Sequence, residues 1–391
     1  MNSVEKHPLF FWLPNFPEVM ESFLTTLVQS NRFDIKIFCL KKLPEERLSI
    51  YTESALSRLC EITYFDGEQE LSAFFDRHFS GAEEGIHIFG GFLGSVGECL
   101  YRYQTVHGGK KAIVLTEKPS ALPYQSKAAN LLLRNLKRLR MFFLYSRAYR
   151  RNRRAIAAVL VTGQKGVNQL AAYGVDKARL FSFMYSHIDE ELPAKKERTD
   201  KTVKFVYVGR FNFCNRGLDN LMYAFDRLHG DDWSLDLVGG YGEDADEIIR
   251  WAQTKKNVRY LGAWNSDEVI TKMQDYDVSV NPTKVDGWRI QINQAILAGI
   301  ATITTNEAIS DELVRAADCG LVVNAFRKKE LLRAITAALD NPEQLRRWKE
   351  NAVRFAPRIS NEALADYFIQ ITDYITQGKE NKERPVCPWQ S

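Results

Sequence analysis

Short apolar segments alternate with longer amphipathic segments along the whole chain. The short segments are rich in β-branched and aromatic residues, whereas the longer ones repeat apolar positions at helical spacing. This alternation predicts an α/β fold built on mostly parallel strands. In the first half, strands are predicted at 9–13, 34–40, 62–65, 86–89, 111–115, 156–161 and 180–183, and the clearest helices at 18–29 and 163–173.

The alternation restarts after a charged segment, 189–200, which contains Pro193 and has no periodicity. Because such composition is typical of linkers, we expect two doubly wound, Rossmann-like domains, with a ligand cleft at the C-terminal ends of their strands. The predicted divisions are an N-terminal domain at 1–190, a C-terminal domain at 201–360, a helix at 361–377 and a disordered tail at 378–391. Strands of the C-terminal domain are predicted at 204–208, 234–238, 258–261, 278–280, 302–304 and 320–323, with helices near 217–229, 243–256, 266–275, 290–298, 307–316 and 328–340.

Composition fits a globular chain of two domains, with 391 residues, 45% hydrophobic residues and a net charge of +4. Six scattered cysteines have no metal-ligand spacing, which favours free thiols in a reducing compartment. The apolar segment at 8–13 ends at Pro14 and is too short for a signal peptide or a membrane span. We therefore expect a cytoplasmic protein that touches a membrane at most peripherally.

The segment Asn281–Gly299 reads as a strand end, a polar loop and a helix N-terminus. Helix N-termini present backbone N–H groups and a positive dipole end to anions, and Gly287 allows a close backbone approach. Upstream, Arg210 and Arg216 follow the end of another predicted strand. Two cations and a helix end together predict a diphosphate site, and a sugar nucleotide is the ligand class that this combination favours.

Five motifs of the second half occur in a familiar order. They are Val208-Gly-Arg210 with Arg216-Gly217, Leu237-Val-Gly-Gly240, Val258-Arg-Tyr-Leu-Gly262, Asn281-Pro-Thr283, and Asp286-Gly-Trp288 with Gln294-Ala295. This half resembles the nucleotide-binding domain of retaining glycosyltransferases of family 4, the glycosyl transferases of group 1. Those enzymes have the GT-B architecture, in which two Rossmann-like domains face each other across a cleft. The first half resembles them only loosely, mainly over 156–188.

The resemblance implies a hexosyltransferase-type enzyme that moves a sugar from a nucleoside-diphosphate sugar to a glycan or lipid-linked acceptor. Retention at the anomeric carbon and the absence of a metal or other cofactor are also implied, while the choice between UDP and GDP stays open. Arg210 and Arg216 would neutralise the diphosphate, and Asp286 would bind sugar hydroxyls. The donor-binding residues implied by the motifs are Gly209, Gly287, Trp288, Arg289, Ile290, Gln291 and Gln294, with the loop at 287–291 acting through backbone N–H groups.

Two departures from the family pattern affect this expectation. The usual pair of glutamates, spaced as E-x7-E, is replaced by Asp286 and Gln294, which shortens one acid and removes the other charge. An amide still hydrogen-bonds ribose hydroxyls, so we expect activity with an altered donor preference. The glycine-rich loop that often follows the first strand is replaced by Pro14-Asn-Phe-Pro17, so its contacts are not transferred to this chain.

Acceptor chemistry is predicted in the first domain. Glu117 follows the predicted strand 111–115 and is placed to orient or deprotonate an acceptor hydroxyl, the alternative being a capping or salt-bridged glutamate. His87 lies in a strand that leads to Gly90 and Gly91, which suggests close approach to an acceptor in the cleft. The alternative for His87 is an ordinary core histidine.

A basic segment spans residues 134–154, with nine cations, no acid and many apolar side chains between them. Such a helix suits an anionic membrane surface, with Arg138, Arg140, Arg150 and Arg151 in contact. The alternative is a solvated helix with its apolar face in the core. Nucleic-acid binding lacks a recognised fold or a base-stacking platform here.

The function predicted from the sequence is sugar transfer in polysaccharide assembly at the inner face of a membrane. Two alternatives stay open: a catalytically inactive, nucleotide-sugar-binding partner subunit, for which Gln294 is the hint, and a sugar-nucleotide epimerase. An epimerase would need acid–base side chains around the sugar from both domains, and the chain offers few of them.

Overall fold

The computed structural model of the protein describes residues 6–15, 18–40, 56–79, 85–107, 112–120, 130–186, 202–377 and 383–390, without the side chains of residues 18 and 130–134. Its strands are β1 His7–Leu13, β2 Phe33–Cys39, β3 Glu61–Tyr64, β4 Ile86–Phe89, β5 Ala112–Thr116, β6 Ile156–Thr162, β7 Leu180–Phe183, β8 Val203–Gly209, β9 Trp233–Gly239, β10 Val258–Tyr260, β11 Val278–Asn281, β12 Ala301–Thr305 and β13 Gly320–Val323. Its helices are α1 Glu21–Gln29, α2 Glu68–His78, α3 Gly94–His107, α4 Asn130–Asn152, α5 Gly163–Ala172, α6 Phe213–Arg216, α7 Leu218–Phe225, α8 Ala245–Gln253, α9 Val269–Met273, α10 Ile290–Leu297, α11 Asp311–Ala317, α12 Lys328–Asp340, α13 Pro342–Phe355 and α14 Asn361–Thr376.

The chain divides into two compact units. The first unit contains the described residues up to 120, those from 132 to 186 and those from 361 onward, and the second contains residues 130–131 and 202–360. Each unit is built on one parallel sheet, in the order β3-β2-β1-β4-β5-β6-β7 and β10-β9-β8-β11-β12-β13 respectively. The predicted α/β class with two doubly wound, Rossmann-like sheets is confirmed. The predicted linker at 189–200 lies outside the described residues.

Aromatic side chains form much of the core of the first unit. Trp12 on β1 pairs in register with Phe38 on β2, and their rings stack with centroids 4.4 Å apart. Phe75 from α2 meets the Trp12 ring edge-on at 4.8 Å. These rings are fully or nearly fully buried, so the alternation seen in the sequence corresponds to strands covered on both faces.

The C-terminal end of the chain returns to the first unit. Helix α14 packs Phe368 against Phe11 of β1 and Phe23 of α1. Trp389 is 1% exposed, and its ring lies 5.9 Å from that of Tyr367. The Arg384 guanidinium donates to the carbonyl of Ala178 at 2.8 Å. The expected disordered tail is therefore wrong for residues 383–390, because an indole and a guanidinium in this polar segment find partners on the first unit.

In the second unit the two halves of the sheet diverge between β8 and β11. Helices that follow β8 and β9 cover one face, and the chain then crosses to β11 on the other side of β8. This is the topological switch point, where the carboxyl ends of neighbouring strands leave a crevice for a ligand. The loops after β8 and β11 contain the residues singled out from the sequence.

Candidate functional site

An ion pair joins the two sides of the switch point. Arg216 ends α6, a single turn capped by Asn212, whose Oδ1 accepts from the Asn215 backbone N–H at 2.7 Å. The Arg216 guanidinium bonds the Asp286 carboxylate, and both side chains are largely buried. Burial acts to lower the pKa of Arg216, but the Asp286 carboxylate together with Tyr207 and Tyr241 acts in the opposite direction and leaves that pKa above its ordinary value. The sequence assigned these residues separate ligands, whereas here they bind each other.

Gly217 explains how this turn approaches the loop after β11. Its backbone is left-handed, with φ of +69°, and a side chain there would meet the Pro282 carbonyl oxygen at 2.0 Å. Only glycine meets both conditions without strain. The Asp286 Oδ1 atom in turn accepts from the Gly287 N–H at 2.9 Å, which fixes the carboxylate at the start of the loop.

Arg210 is the exposed cation of the site. It follows β8 directly, and its guanidinium carbon lies 5.5 Å from the ring centre of Tyr241. The Tyr207 hydroxyl donates to the Arg210 carbonyl at 2.6 Å, which holds the backbone at the strand end. Within the described ranges no carboxylate pairs with Arg210, so its charge is free to meet an anion.

Arg289 is the buried cation of the site. Its side chain is 2% exposed, with Nη2 donating to the Val208 carbonyl at 2.7 Å and Nε donating to Asn281 Oδ1 at 3.1 Å. Burial lowers the pKa of its guanidinium from the ordinary value. The sequence assigned Arg289 to the site through its backbone N–H, whereas the structure turns its side chain beneath the site.

The remaining donor candidates lie on or before α10. Trp288 is buried and donates from Nε1 to Asn293 Oδ1 at 3.0 Å, so its ring supports the loop. Ile290 and Gln291 are half-buried in the first turn. Gln294 is 4% exposed, and its Oε1 atom has no hydrogen-bond partner among the described residues. A buried acceptor without a donor is uncommon in proteins and marks a place that a ligand hydroxyl can fill.

Sequence reasoning missed the residues that support this cluster. Tyr207 is fully buried with its hydroxyl at the end of β8, and Asn281 ends β11 with its amide between Arg289 and Ser279. Ser310 Oγ donates to the Arg289 carbonyl at 2.9 Å, which fixes the residue that caps α10. Tyr207 and Asn281 each lie at or near the C-terminal end of an apolar strand. A polar side chain at such a position in the sequence is the signal that could have identified them as site residues.

The acceptor candidates lie in the first unit. Glu117 is exposed and follows β5, next to Lys118, whose N–H donates to Thr162 Oγ1 at 2.9 Å. Gly90 follows β4, and its N–H donates to the Trp12 carbonyl at 2.8 Å, while Gly91 has a φ of +133° and open space beside it. All three stand at the C-terminal edge of the sheet, as predicted, and their role in an acceptor site stays a prediction.

His87 does not reach that edge. It is 1% exposed inside an aromatic cluster, with ring centres of Tyr103 at 4.7 Å and Phe10 at 4.8 Å. Its Nδ1 accepts from Trp12 Nε1 at 3.2 Å. Burial lowers the pKa of His87 to about 3, so the ring is neutral at physiological pH. The assignment of His87 to the acceptor cleft is wrong, and the alternative of a core histidine holds.

Helix α4 contains the basic segment, and its two halves differ. The C-terminal half is anchored: Ala148 and Tyr149 are buried, and Ser146 Oγ donates to the Tyr173 carbonyl at 2.6 Å. Residues 135–140 are all exposed, which includes Arg138 and Arg140, and Phe143 is 61% exposed. Arg150 is exposed, whereas Arg151 pairs with Glu98 at 3.2 Å and covers the Tyr101 ring. None of the described helices is long and apolar enough to cross a bilayer.

The second unit contains two Asp-x-Asp triplets, Asp244-Ala-Asp246 and Asp275-Tyr-Asp277, and one aspartate of each has a structural partner. Asp244 Oδ2 accepts from the Phe213 N–H at 2.7 Å, and Asp277 pairs with Lys349 at 2.6 Å. No cluster of three or more His, Cys, Asp or Glu side chains is arranged to hold a metal in the part of the chain that the structure describes.

Comparison with protein families places the second unit. Residues 188–355 match the model of the family described as Glycosyl transferases group 1. The match covers less than half of the chain and lies in the second unit, which is similar to the glycosyl transferases of group 1. An uncharacterized glycosyltransferase of Methanocaldococcus jannaschii is 24% identical over 165 residues, which are 41% of this chain and 42% of the relative. The chain thus matches less than half the length of that curated relative.

Solved structures resemble the chain over nearly its whole length. Sucrose-phosphate synthase from Thermosynechococcus elongatus has a TM-score of 0.70 at 13% identity, and Anabaena HepE in complex with UDP-glucose has 0.67 at 12%. WaaG, a glycosyltransferase involved in lipopolysaccharide biosynthesis, has 0.60 at 16%. Each match covers 95% of this chain and 100% of the other. These likenesses show the GT-B fold, and the resemblance to the glycosyl transferases of group 1 inferred from the motifs is confirmed.

Proposed function

We propose that the protein transfers a sugar, of hexosyl type, from a nucleoside-diphosphate sugar to a glycan or lipid-linked acceptor. Retention at the anomeric carbon and independence from a metal ion are parts of this proposal. The group 1 domain, the GT-B fold and the complexes of HepE with UDP-glucose and with UDP support it.

One observation carries the proposal: positive charge exceeds negative charge at the switch point. The Tyr207 hydroxyl donates to the Arg210 carbonyl, the Arg289 guanidinium lies 5.6 Å from the Tyr207 ring centre, and Arg216 is close enough to act on the same phenol. Among the described residues Asp286 is the carboxylate that pairs with one of these three arginines, Arg216. Lys284, which is close by in sequence, is balanced separately by Asp219 at 2.6 Å. The cluster therefore has surplus positive charge, which a diphosphate balances.

The surplus suits the proposed reaction. When the bond between the anomeric carbon and the phosphate oxygen breaks, the leaving nucleoside diphosphate gains negative charge. Fixed guanidinium groups stabilise that charge without reorganisation, and such preorganised contacts are worth several kcal/mol in a closed site. Arginine is permanently protonated, so it supplies this charge without a metal ion.

Gln294 supports the nucleotide part of the proposal. Its Oε1 atom is a buried acceptor without a protein donor among the described residues. A ribose hydroxyl would donate to it and satisfy the amide at the same time, as the matching position of the family motif implies. The charge of a glutamate is not needed for this hydrogen bond.

A thermal-shift panel of UDP, GDP, ADP, CMP and their common sugars tests the proposal. A ligand at about 100 times its dissociation constant stabilises a protein by roughly 2.7 kcal/mol. We expect stabilisation by one nucleoside diphosphate and its sugar, and weaker stabilisation by the corresponding monophosphate. No shift with any nucleoside diphosphate would refute the proposal.

The catalytically inactive partner subunit is the second candidate, and Gln294 is the observation that favours it. Gln294→Glu, with Gln253→Glu at an exposed position of the second unit as a matched control, separates the two. Sugar-nucleotide hydrolysis or transfer by the wild-type protein would establish an enzyme. Turnover that appears only in Gln294→Glu would establish that the native chain binds without reacting. The epimerase alternative loses an acid–base candidate, since His87 is in the core.

We also propose that the exposed part of α4 contacts an anionic membrane on which a lipid-linked acceptor is presented. Leu136, Leu139 and Phe143 are each more than half exposed, at the spacing of one helix face. Lys137, Arg138 and Arg140 stand among them. A helix that exposes both apolar and basic side chains is typical of the interface of anionic bilayers. All six cysteines are free thiols, which fits the cytoplasmic side of such a membrane.

A further inference from the structure

Arg289 is the one arginine of the switch-point cluster that is both buried and without a carboxylate partner among the described residues. Its hydrogen bonds go to neutral acceptors, the Val208 carbonyl and Asn281 Oδ1. Moving a charge out of water carries a large desolvation penalty, and neutral acceptors offset only part of it. A protein interior that keeps such a charge needs a compensating anion or a functional reason.

The position of the guanidinium connects it to the ligand crevice. It bridges the ends of β8 and β11, the two strands between which the sheet diverges. Gly209, the last residue of β8, has a φ of +142°, and a side chain there would lie 2.8 Å from Arg289 Nη2. The glycine therefore leaves only backbone between the buried charge and the loop that begins with Arg210.

In the part of the chain that the structure describes, the charged and titratable groups around Arg289 do not balance its charge. Asp286 acts on it electrostatically but is bound to Arg216, and Arg216 itself adds positive charge. The Tyr207 ring centre lies 5.6 Å from the Arg289 guanidinium, and burial raises the pKa of that phenol, so it is neutral. The surroundings of Arg289 thus remain electropositive when the crevice is empty.

We propose that the Arg289 side chain is a positioning residue for the diphosphate, whose charge is balanced from beneath by this buried guanidinium through the backbone at Gly209. The inference rests on the proposed function, because it assigns the diphosphate of the sugar nucleotide as the missing counterion. It differs from the family-based expectation, in which residue 289 contributes only a backbone N–H.

This assignment has an unusual consequence for stability. In the ligand-free protein the buried charge of Arg289 destabilises the fold, so replacing Arg289 with a neutral residue removes a desolvation penalty. In the liganded protein the same charge is balanced. We therefore expect Arg289→Gln to leave the ligand-free unfolding temperature unchanged or higher while it abolishes most of the stabilisation by ligand.

The test compares Arg289→Gln and Arg289→Lys with the wild-type protein and with Ile303→Val, a control that alters a fully buried residue of the neighbouring strand without a change of charge. The probes are the nucleoside diphosphate that stabilises the wild-type protein, its parent nucleoside and inorganic pyrophosphate. Dissociation constants come from titration calorimetry, and unfolding temperatures are measured without ligand.

We expect Arg289→Gln to weaken the nucleoside diphosphate and pyrophosphate by at least 10-fold and the nucleoside by less than 2-fold. Arg289→Lys retains the charge and should recover part of the loss, whereas Ile303→Val should change neither affinity. Equal weakening of diphosphate and nucleoside binding, or no recovery of diphosphate affinity in Arg289→Lys, would show a merely structural role and overturn the inference.

The same measurements distinguish failure of the inference from failure of the proposed function. If the wild-type protein binds no nucleoside diphosphate, the proposed function itself fails; if it binds and Arg289→Gln binds equally well, only the inference fails. If Arg289→Gln does not fold, the diphosphate affinity of Arg289→Lys is compared with that of Ile303→Val. Lysine keeps the positive charge but loses the hydrogen-bonding geometry of the guanidinium. Retained diphosphate affinity in Arg289→Lys would support a positioning charge, and its loss would show a structural role.

Discussion

At the scale of single residues, Arg210 and Arg216 have the same predicted role but different surroundings. Arg210 is exposed, whereas Arg216 is largely buried and paired with Asp286. Arg210→Ala and Arg216→Ala should each weaken nucleoside-diphosphate binding by about 1.5–3 kcal/mol, the range for a charged hydrogen bond. Only Arg216→Ala should also lower the free energy of unfolding, by about 1–3 kcal/mol, because it leaves the largely buried Asp286 carboxylate without its partner. Urea unfolding and calorimetry measure the two effects.

Asp286→Asn supplies the control for that comparison. In the Arg216→Ala background it removes the unpaired charge, so the double variant should recover most of the lost unfolding free energy. Additive effects of the two substitutions would show that the ion pair does not contribute to stability.

His87 gives a prediction about pH. Its pKa is about 3 in the folded protein and about 6.5 when unfolded, so the unfolded state binds more protons between these values. Stability from the neutral ring is fully present above pH 6.5 and is lost as pH falls toward 3. From pH 7 to pH 5 the contribution should fall by about 2 kcal/mol. In His87→Phe the fall in the free energy of unfolding between pH 7 and pH 5, measured by urea titration, should be smaller by this amount. The same pH dependence in the variant and in the wild-type protein would contradict the burial argument.

At the scale of elements, substitutions in α4 can distinguish membrane contact of this helix from simple exposure to solvent. The triple substitution of Lys137, Arg138 and Arg140 by glutamine should weaken binding to vesicles of anionic lipid roughly 100-fold, since each cation near the surface contributes about 1 kcal/mol. Co-sedimentation with vesicles of phosphatidylserine and phosphatidylcholine measures this change. Glutamine substitution of Arg346, Arg347 and Arg354, exposed on α13, removes the same charge elsewhere and should have little effect. An equal loss in both triple variants would indicate net charge alone.

The elements themselves were largely predictable, and the reason is periodicity. Every predicted strand has a counterpart within about two residues, because strands covered on both faces are short and continuously apolar. The direction of side chains was not predictable in the same way. Arg289 caps a helix whose polar neighbours suggested an outward loop, yet its long side chain turns inward to carbonyl and amide oxygens that only the folded strand ends bring together. The role of His87 was ambiguous because the alternation within a strand shows on which face a side chain lies, but not which residues pack against that face.

At the scale of the whole molecule, the C-terminal residues belong to the first unit. Deleting residues 383–391 should lower the stability of that unit by about 3–5 kcal/mol, as expected when a buried tryptophan is lost. Because multidomain proteins often unfold in more than one step, calorimetry with and without nucleotide can separate the units. The transition protected by the nucleotide should not move, and a downward shift of that transition would contradict the assignment. Val386→Ala, at an exposed position of the same segment, is the control.

The return of the chain to its first unit also fixes an order of events during synthesis. Residues of the second unit, 202–360, are complete before the ribosome has made α14 and Trp389. Phe11 and Phe23 in the N-terminal half therefore lack their later partner Phe368 until α14 has been translated. We therefore expect the usual sequence, in which the N-terminal domain folds first, to be reversed here. A nascent chain that stopped before α14 would contain all of the second unit beside an incomplete first unit.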